Sequence, residues 1–220
     1  MKIIRNIFIT LNIFFMLVLT NNYKATANDV NSGTVSCIRN LWYTAMNDGG
    51  IKKMNKIQQK QAIVNMYFPY FDLEWTAKMS IGINYKKMST KQQENYLKEF
   101  SKFFAYIWLP SLYVDNASGA RLVIKDKTTK INSDEYVDVV IYAPDGKTFD
   151  LRLRVRNKPE WKHCKILNAV FDGVDLAMSY RAQFDAYIEE HNGKSETIID
   201  YLVKKNQQYK KTSGIVLPIE

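Results

Sequence analysis

The chain has 220 residues, 46% of them hydrophobic and 24% charged, with 31 Lys and Arg against 22 Asp and Glu. Nine Gly and five Pro exclude a collagen-like or low-complexity chain, the hydrophobic content excludes a disordered one, and two Cys are too few for a disulfide scaffold. Taken alone, the net charge of +9 points to an acidic partner: nucleic acid, anionic lipid or an acidic protein.

The N-terminus reads as an export leader. Lys2 and Arg5 precede an apolar run from Ile7 to Leu19, broken only by Thr10 and Asn12. Thr20, Asn21 and Asn22 follow, and then Ala25-Thr26-Ala27. Basic, apolar, then small residues at −3 and −1 make a secretory signal, with cleavage expected after Ala27. The run is shorter than the ~20 residues a spanning helix needs, and an uncleaved anchor is the alternative. Losing Lys2, Arg5 and Lys24 leaves 28 basic against 22 acidic residues, a mature charge of +6. Export permits a Cys37–Cys164 disulfide. Cys37, however, lies among apolar residues on a helix face, where a buried free thiol is the commoner state.

In the mature chain helices come first, then strands, then helices, which is the order of an α+β domain. Val30 to Met46 reads as a helix, with Val35, Ile38, Leu41, Trp42 and Ala45 at helical spacing, stopped by Asp48-Gly49-Gly50. Lys56 to Tyr67 is a short polar helix that Pro69 breaks, and Phe71 to Ile81 follows as a third. Ser89-Thr90-Lys91-Gln92 is a capping box opening the strongest helix, whose stripe is Tyr96, Phe100, Phe103 and Ile107. Beyond Lys102 this helix is apolar nearly all round, and Pro110 must kink or end it.

From Arg121 the period is two. Leu122 to Lys127, Glu135 to Ala143, Lys147 to Arg156 and Trp161 to Val170 read as about four strands of a twisted antiparallel sheet. Pro144-Asp145-Gly146 joins the second and third. Keeping the apolar faces together pairs Ile141 with Phe149, Val139 with Leu151 and Val137 with Leu153, and sets Asp138 opposite Arg152. After Gly173, Ala177, Tyr180, Arg181, Phe184 and Ile188 line one face of a helix stopped by His191-Asn192-Gly193. Ser195 to Asn206 is the last helix, with a frayed tail from Gln207. Residues 28–210 make one domain, and 211–220 a flexible tail.

Groups for chemistry are sparse. His163 and Cys164 are adjacent on an expected strand, point to opposite faces and make no dyad. His191 suits a helix C-terminus. No His or Cys spacing supports a metal site. Asp134-Glu135 and Glu189-Glu190 read as solvated acids. Arg152, Arg154 and Arg156 share a strand face, as a phosphate-tracking surface would require, but no aromatic residues interleave with them in sequence. They read as a solvated face with Asp138 and Asp150 as partners, and nucleic acid is not an expected partner. What remains is apolar abundance, and composition does not decide between a filled core and a hollow one.

Three blocks give a resemblance. Phe71-Asp72 with Ala77-Lys78-Met79-Ser80-Ile81-Gly82 resembles the "DF…MAR…LG" helix of the MlaC family of periplasmic phospholipid-binding proteins, also known as toluene-tolerance or ABC-transporter auxiliary components. Met88-Ser89-Thr90-Lys91-Gln92-Gln93 with Phe100 and Tyr106 is similar to its next helix. Gly173-Val174-Asp175-Leu176, Tyr180-Arg181-Ala182-Gln183-Phe184, Gly193 and Ile198 resemble "EGVSLV..YRSQF…G…LI". Asn84-Tyr85 stands where a Trp is usual, Asp175 replaces a Ser, and Asn168 an Asp.

The resemblance implies an apolar cavity between sheet and helices that holds a phospholipid by its tails. It implies a periplasmic carrier that is not an enzyme, with no cofactor beyond the lipid cargo. Its implied partners are an outer-membrane lipoprotein complex and an inner-membrane ABC transporter with an MCE-domain subunit, and its role is the maintenance of outer-membrane lipid asymmetry. A carrier of another apolar molecule, such as a hopanoid or solvent-like compound, or a secreted structural protein, are the alternatives. The pocket candidates on the helices are Met79, Ile83, Phe100, Phe103, Phe104, Ile107, Met178 and Phe184. Those on the sheet are Val137, Val139, Ile141, Phe149, Leu151, Leu153 and Val155.

Overall fold

The computed structural model describes residues 33–47, 49–110, 121–143 and 145–219, so the leader and its cleavage point lie outside the described residues. Helix α1 (Gly33–Asn47) buries Val35, Ile38 and Leu41, as the spacing requires. The Gly-Gly stop is softer than expected, because Gly49–Lys52 forms one more turn, α2. Helix α3 (Lys56–Tyr67) has the expected bounds, and Asn55 and Gln58 cap it reciprocally. Pro69 sits in a 3-10 turn, Phe68–Tyr70, where its missing N–H costs nothing. Helix α4 (Leu73–Ile81) begins two residues later than expected. Phe71 instead bridges Ile166, and the Asp72 carboxylate caps α4 by accepting from the Trp75 N–H at 2.9 Å. A short helix, α5 (Ile83–Lys87), was not expected; Gly82, at φ +55°, turns the chain into it.

Helix α6 (Thr90–Trp108) carries both halves of the Ser89–Gln92 capping box and ends just before Pro110. Its second half is apolar on every side because it is buried on every side. Phe103, Phe104 and Ile107 face one cluster of buried side chains, while Ala105, Tyr106 and Leu109 face another.

The sheet is antiparallel with order β1-β2-β3-β4-β5, five strands rather than four. These are β1 (Arg121–Ile131), β2 (Asp134–Tyr142), β3 (Thr148–Arg156), β4 (Lys165–Phe171) and β5 (Val174–Asp175). The β2–β3 register is the expected one, with Ile141, Val139 and Val137 opposite Phe149, Leu151 and Leu153, and Asp138 opposite Arg152. The missed strand is two residues long, too short for a periodic signal. Asp172 and Gly173, both at positive φ, turn the chain back into it.

Helix α7 (Leu176–Glu190) is capped by Asp175 and buries Ala177, Tyr180, Phe184 and Ile188. Helix α8 (Thr197–Ser213) passes the expected stop at Asn206 by two turns. Asn206 does not end the helix, because its Nδ2 donates to the Glu99 backbone carbonyl and to the Glu99 carboxylate on α6. The expected frayed tail is a second correction. Gly214, in the left-handed region, ends α8, and Ile215 and Leu217 beyond it are buried.

Candidate functional site: an incompletely covered sheet face

The core divides into two clusters. One joins the apolar sheet face to α1, α2, α3, the end of α6 and the C-terminal segment. The other lies among α4, α6, α7 and α8. Phe68, Phe71 and Tyr209 pack against both.

Along β2 the apolar face is sealed, with Val137, Val139 and Ile141 only 0 to 4% exposed. Their register partners on β3, Leu153, Leu151 and Phe149, point to the same face yet are only half-buried. The next partners on β4, Ala169 and Phe171, are half-buried too. Strand β3 is internal, flanked by β2 and β4, so its exposure is not an edge effect. An apolar strip therefore runs across β3 and β4 under incomplete cover, with the rings of Phe149 and Phe171 stacked at its end, 5.8 Å between centroids. The strip stops at the buried Val155 and Ile166.

There the closure is covalent. Cys37 of α1 and Cys164, just before β4, form a disulfide, which corrects the expectation of a free Cys37. The apolar helix face on which Cys37 was expected lies against the sheet, and that brings the two sulfurs together. The bond disposes of any Cys164 nucleophile. His163 and Cys164 precede β4 rather than lying within it, so opposite strand faces are not the reason. His163 packs its ring on Tyr70, and burial together with the nearby Lys162 and Lys165 lowers its pKa.

The opposite sheet face is polar and internally paired. Arg152 Nε donates to the Asp138 carboxylate at 2.6 Å. Arg154 and Arg156 both donate to Asp134, at 2.7 and 2.6 Å. Asp134 is thus buried, not solvated as expected. Burial pushes its carboxyl up, and hydrogen bonds from Arg156 and Arg154 more than reverse that, holding it below the ordinary carboxylate value. Arg154 also lies over the Trp75 ring at 4.6 Å. Asp138 and Asp134 are thus the hydrogen-bonded carboxylate partners of the three arginines, and the expected Asp150 acts on Arg152 through its charge.

The helical cluster is closed by aromatic packing. Phe100 makes near-perpendicular contacts with Tyr180 and Phe184, at 6.0 and 6.2 Å. The Tyr96 hydroxyl donates to the Ala77 carbonyl at 2.9 Å, and Trp108 Nε1 donates to the Tyr180 hydroxyl at 2.6 Å. Burial drives the phenol pKa of Tyr96 and Tyr180 upward. Phe100, Phe103, Phe104, Ile107 and Phe184 all belong here rather than to the sheet face, so the pocket candidates fall into two groups. Phe104 comes nearest to joining them, its ring 5.3 Å from that of Phe71. Met79 is half-buried. Ile83 and Met178 are corrections, because both are exposed and line nothing interior. Sequence reasoning missed Phe68, Phe71, Leu122, Ile124 and Phe171 as partly covered apolar neighbours of the sheet cluster. Period-two spacing in β1 and β4 was the available signal for the three strand residues.

The three motif blocks meet in the helical layer. Arg181 of α7 lies against Gly82, where even a β-carbon would come within 2.5 Å of its guanidinium. Asn84 donates to Asp185 at 2.8 Å and accepts from Lys87 and Ser195. Asn168 donates to Asp175 at 2.9 Å and accepts from the Ala177 N–H, so two of the departures from the family pattern are each other's partners. His191 stacks on Tyr187 and contacts its carbonyl at the C-terminus of α7, in keeping with a capping role.

The MlaC protein family model matches residues 39–205. A phospholipid-binding protein from Ralstonia solanacearum, solved in complex with a phospholipid, shares the fold with a TM-score of 0.61 at 19% identity, over 79% of this chain and 94% of that one. No curated protein matches the chain.

Proposed function

The chain belongs to the MlaC family, and on that premise we propose that it binds a phospholipid by its acyl tails and carries it through an aqueous compartment. The observation carrying this reading is the apolar strip on the internal strand β3, which an acyl chain laid across Leu151 and Leu153 would finish covering. Each CH₂ so buried is worth ~0.8 kcal/mol, so a two-tailed lipid gains heavily from shelter and leaves only where a membrane or partner shelters it equally. The phospholipid held by the Ralstonia solanacearum protein, on the same fold, supports the cargo class.

The leader pattern and the Cys37–Cys164 disulfide support an exported, periplasmic protein, since thiols stay reduced in most cytosols. Within that compartment we assign it to transfer between an outer-membrane lipoprotein complex and an inner-membrane ABC transporter bearing an MCE-domain subunit. Lipid is cargo, and the reading requires neither catalytic group nor metal.

Solvent extraction of the purified mature protein followed by mass spectrometry tests it. Phospholipid near one per chain is the expected result. Another lipid, such as a hopanoid, reassigns the cargo, and no lipid from folded protein overturns the carrier reading. Leu153→Trp fills the strip and lowers bound lipid while the protein stays folded.

A further inference from the structure

The positive charge is concentrated where two segments distant in sequence meet. Residues 49–71 contain four lysines and no acid, and residues 201–219 contain four more and no acid. The fold brings these segments together. The Gln61 amide on α3 donates to the Val216 carbonyl and accepts from the Val216 N–H, both at 2.7 Å. Gly214 lies against the Ile57 side chain.

At this junction three large apolar side chains face outward: Met54, Ile57 and Val216 are 41, 57 and 61% exposed. Lys53, Lys56, Lys210 and Lys211 around them are exposed as well, and Lys60 is half-buried one turn along from Lys56. Residues beside these point inward. Ile51, Ile63, Val64, Ile215 and Leu217 are all buried in the sheet cluster. The outward apolar residues are therefore not the overflow of an unfinished core.

We propose that this surface, the N-terminal half of α3 with the end of α8 and residues 214–219, is a docking site for an anionic phospholipid bilayer. Exposed aliphatic side chains beside exposed lysines, on two segments (residues 49–71 and 201–219) that carry no acid in sequence, are the chemistry of an interfacial membrane site. Lysines attract the negative headgroup layer over roughly a Debye length, and Met54, Ile57 and Val216 enter the acyl boundary once contact is made. A protein interface also has an apolar centre and a polar rim, but it needs about 20–30 residues a side, whereas here three aliphatic side chains stand among lysines, which suits shallow insertion into an anionic bilayer better. Docking of this kind sets the elements that cover the sheet cluster against the bilayer. The proposal goes beyond the carrier reading and does not depend on it.

Co-sedimentation of the full mature protein with vesicles tests it, using phosphatidylcholine alone against phosphatidylcholine containing phosphatidylglycerol. Adhesion is expected only to the anionic vesicles, and it weakens as salt rises. A variant carrying Lys53→Gln, Lys56→Gln, Lys210→Gln and Lys211→Gln loses about fivefold in vesicle affinity for each lysine removed. A variant with the same charge change at Lys86, Lys125, Lys127 and Lys130, exposed lysines outside the patch, loses much less. Ile57→Ser with Val216→Ser lowers adhesion about tenfold with charge unchanged. Melting curves establish that each variant is folded, and extracted lipid is quantified alongside. Patch variants that keep their lipid but lose adhesion support the proposal. Adhesion with no extractable lipid would sink the carrier reading and leave the docking site standing. Equal loss in the patch and control variants overturns the proposal. So does absent adhesion at low salt, including where a salt-sensitive complex with an acidic protein forms instead.

Discussion

The helical cluster and the sheet cluster meet at Phe68, Phe71 and Tyr209, yet they are finished in different ways. Among the helices, interlocked rings close the interior, and the buried hydroxyls of Tyr96 and Tyr180 have named partners. On the sheet, β2 is sealed while the next internal strand is not, and the sealed end is held by a disulfide. Aromatic density therefore marks the part of this protein that is full. The part left incompletely covered is lined by Leu151, Leu153 and two stacked Phe rings.

The largest effect should come from breaking the full region. Phe100→Ala removes a ring with no solvent exposure from the centre of the helical layer. It should cost about 4 kcal/mol by urea denaturation, through lost transfer energy and the cavity left behind. If that layer is only scaffold, the bound lipid per folded molecule is unchanged. A matched fall in lipid would merge the two regions into one site.

Opening the disulfide tests how the sheet cluster is closed. Cys37 and Cys164 are 127 residues apart in sequence. A tie of that span restrains the unfolded chain strongly, and Cys37→Ser with Cys164→Ser should cost about 3 kcal/mol. Hydrogen exchange should rise first in α1, which then rests on Val35, Ile38 and Leu41 and on the contacts of Arg39 with Ile124 and Asp126 of β1. Uniform acceleration through α7 and α8 would contradict the division into two clusters.

On the far face of the sheet, Asp134→Asn leaves Arg154 and Arg156 without their shared carboxylate and should cost about 2 kcal/mol. The pH dependence has a definite sign. The folded carboxyl lies below its ordinary value of 3.8, so the native state binds fewer protons there. Its contribution is complete above that value and fades as pH falls through the lower folded value. The Asn variant should lack this part of the acid transition in urea midpoints taken across the acid range.

Where the sequence was legible, local and long-range rules agreed. The Ser89–Gln92 box and a four-residue apolar stripe were enough to read α6, and face-matching across Pro144-Asp145-Gly146 was enough for the β2–β3 register. The failures at the C-terminus and at Cys37 share one cause. Asn206, Ile215 and Leu217 look like the end of a helix and a tail, but their partners, Glu99 and the sheet cluster, are far away in the chain. Cys37 pairs with a residue 127 positions on for the same reason. The site was half legible. Periodicity gave the shared face of Leu151 and Leu153, while Ile83 and Met178, pocket candidates that no periodic stripe included, point to solvent. Period reports which residues share a face; whether another element covers that face is settled by the fold.

The smallest predicted effect bears most directly on the comparison, because it inverts the ranking by size. Val137 and Leu153 are register partners on one sheet face. Leucine loses more carbon than valine on truncation to alanine, so side-chain volume alone ranks Leu153→Ala as the worse substitution. Cover ranks them the other way. Val137 has no exposure, and Val137→Ala should cost about 2 kcal/mol with its cavity. Leu153 is half-buried, so Leu153→Ala should cost about 1 kcal/mol in lipid-free protein. Adding phospholipid should then widen the gap between wild type and Leu153→Ala, since a ligand stabilises the native state in proportion to its affinity, and leave the Val137→Ala gap nearly unchanged. Melting curves of the three proteins with and without lipid supply all four differences. A larger loss for Leu153→Ala without lipid would mean that the strip is already covered, and the sheet face would then be as full as the helical cluster.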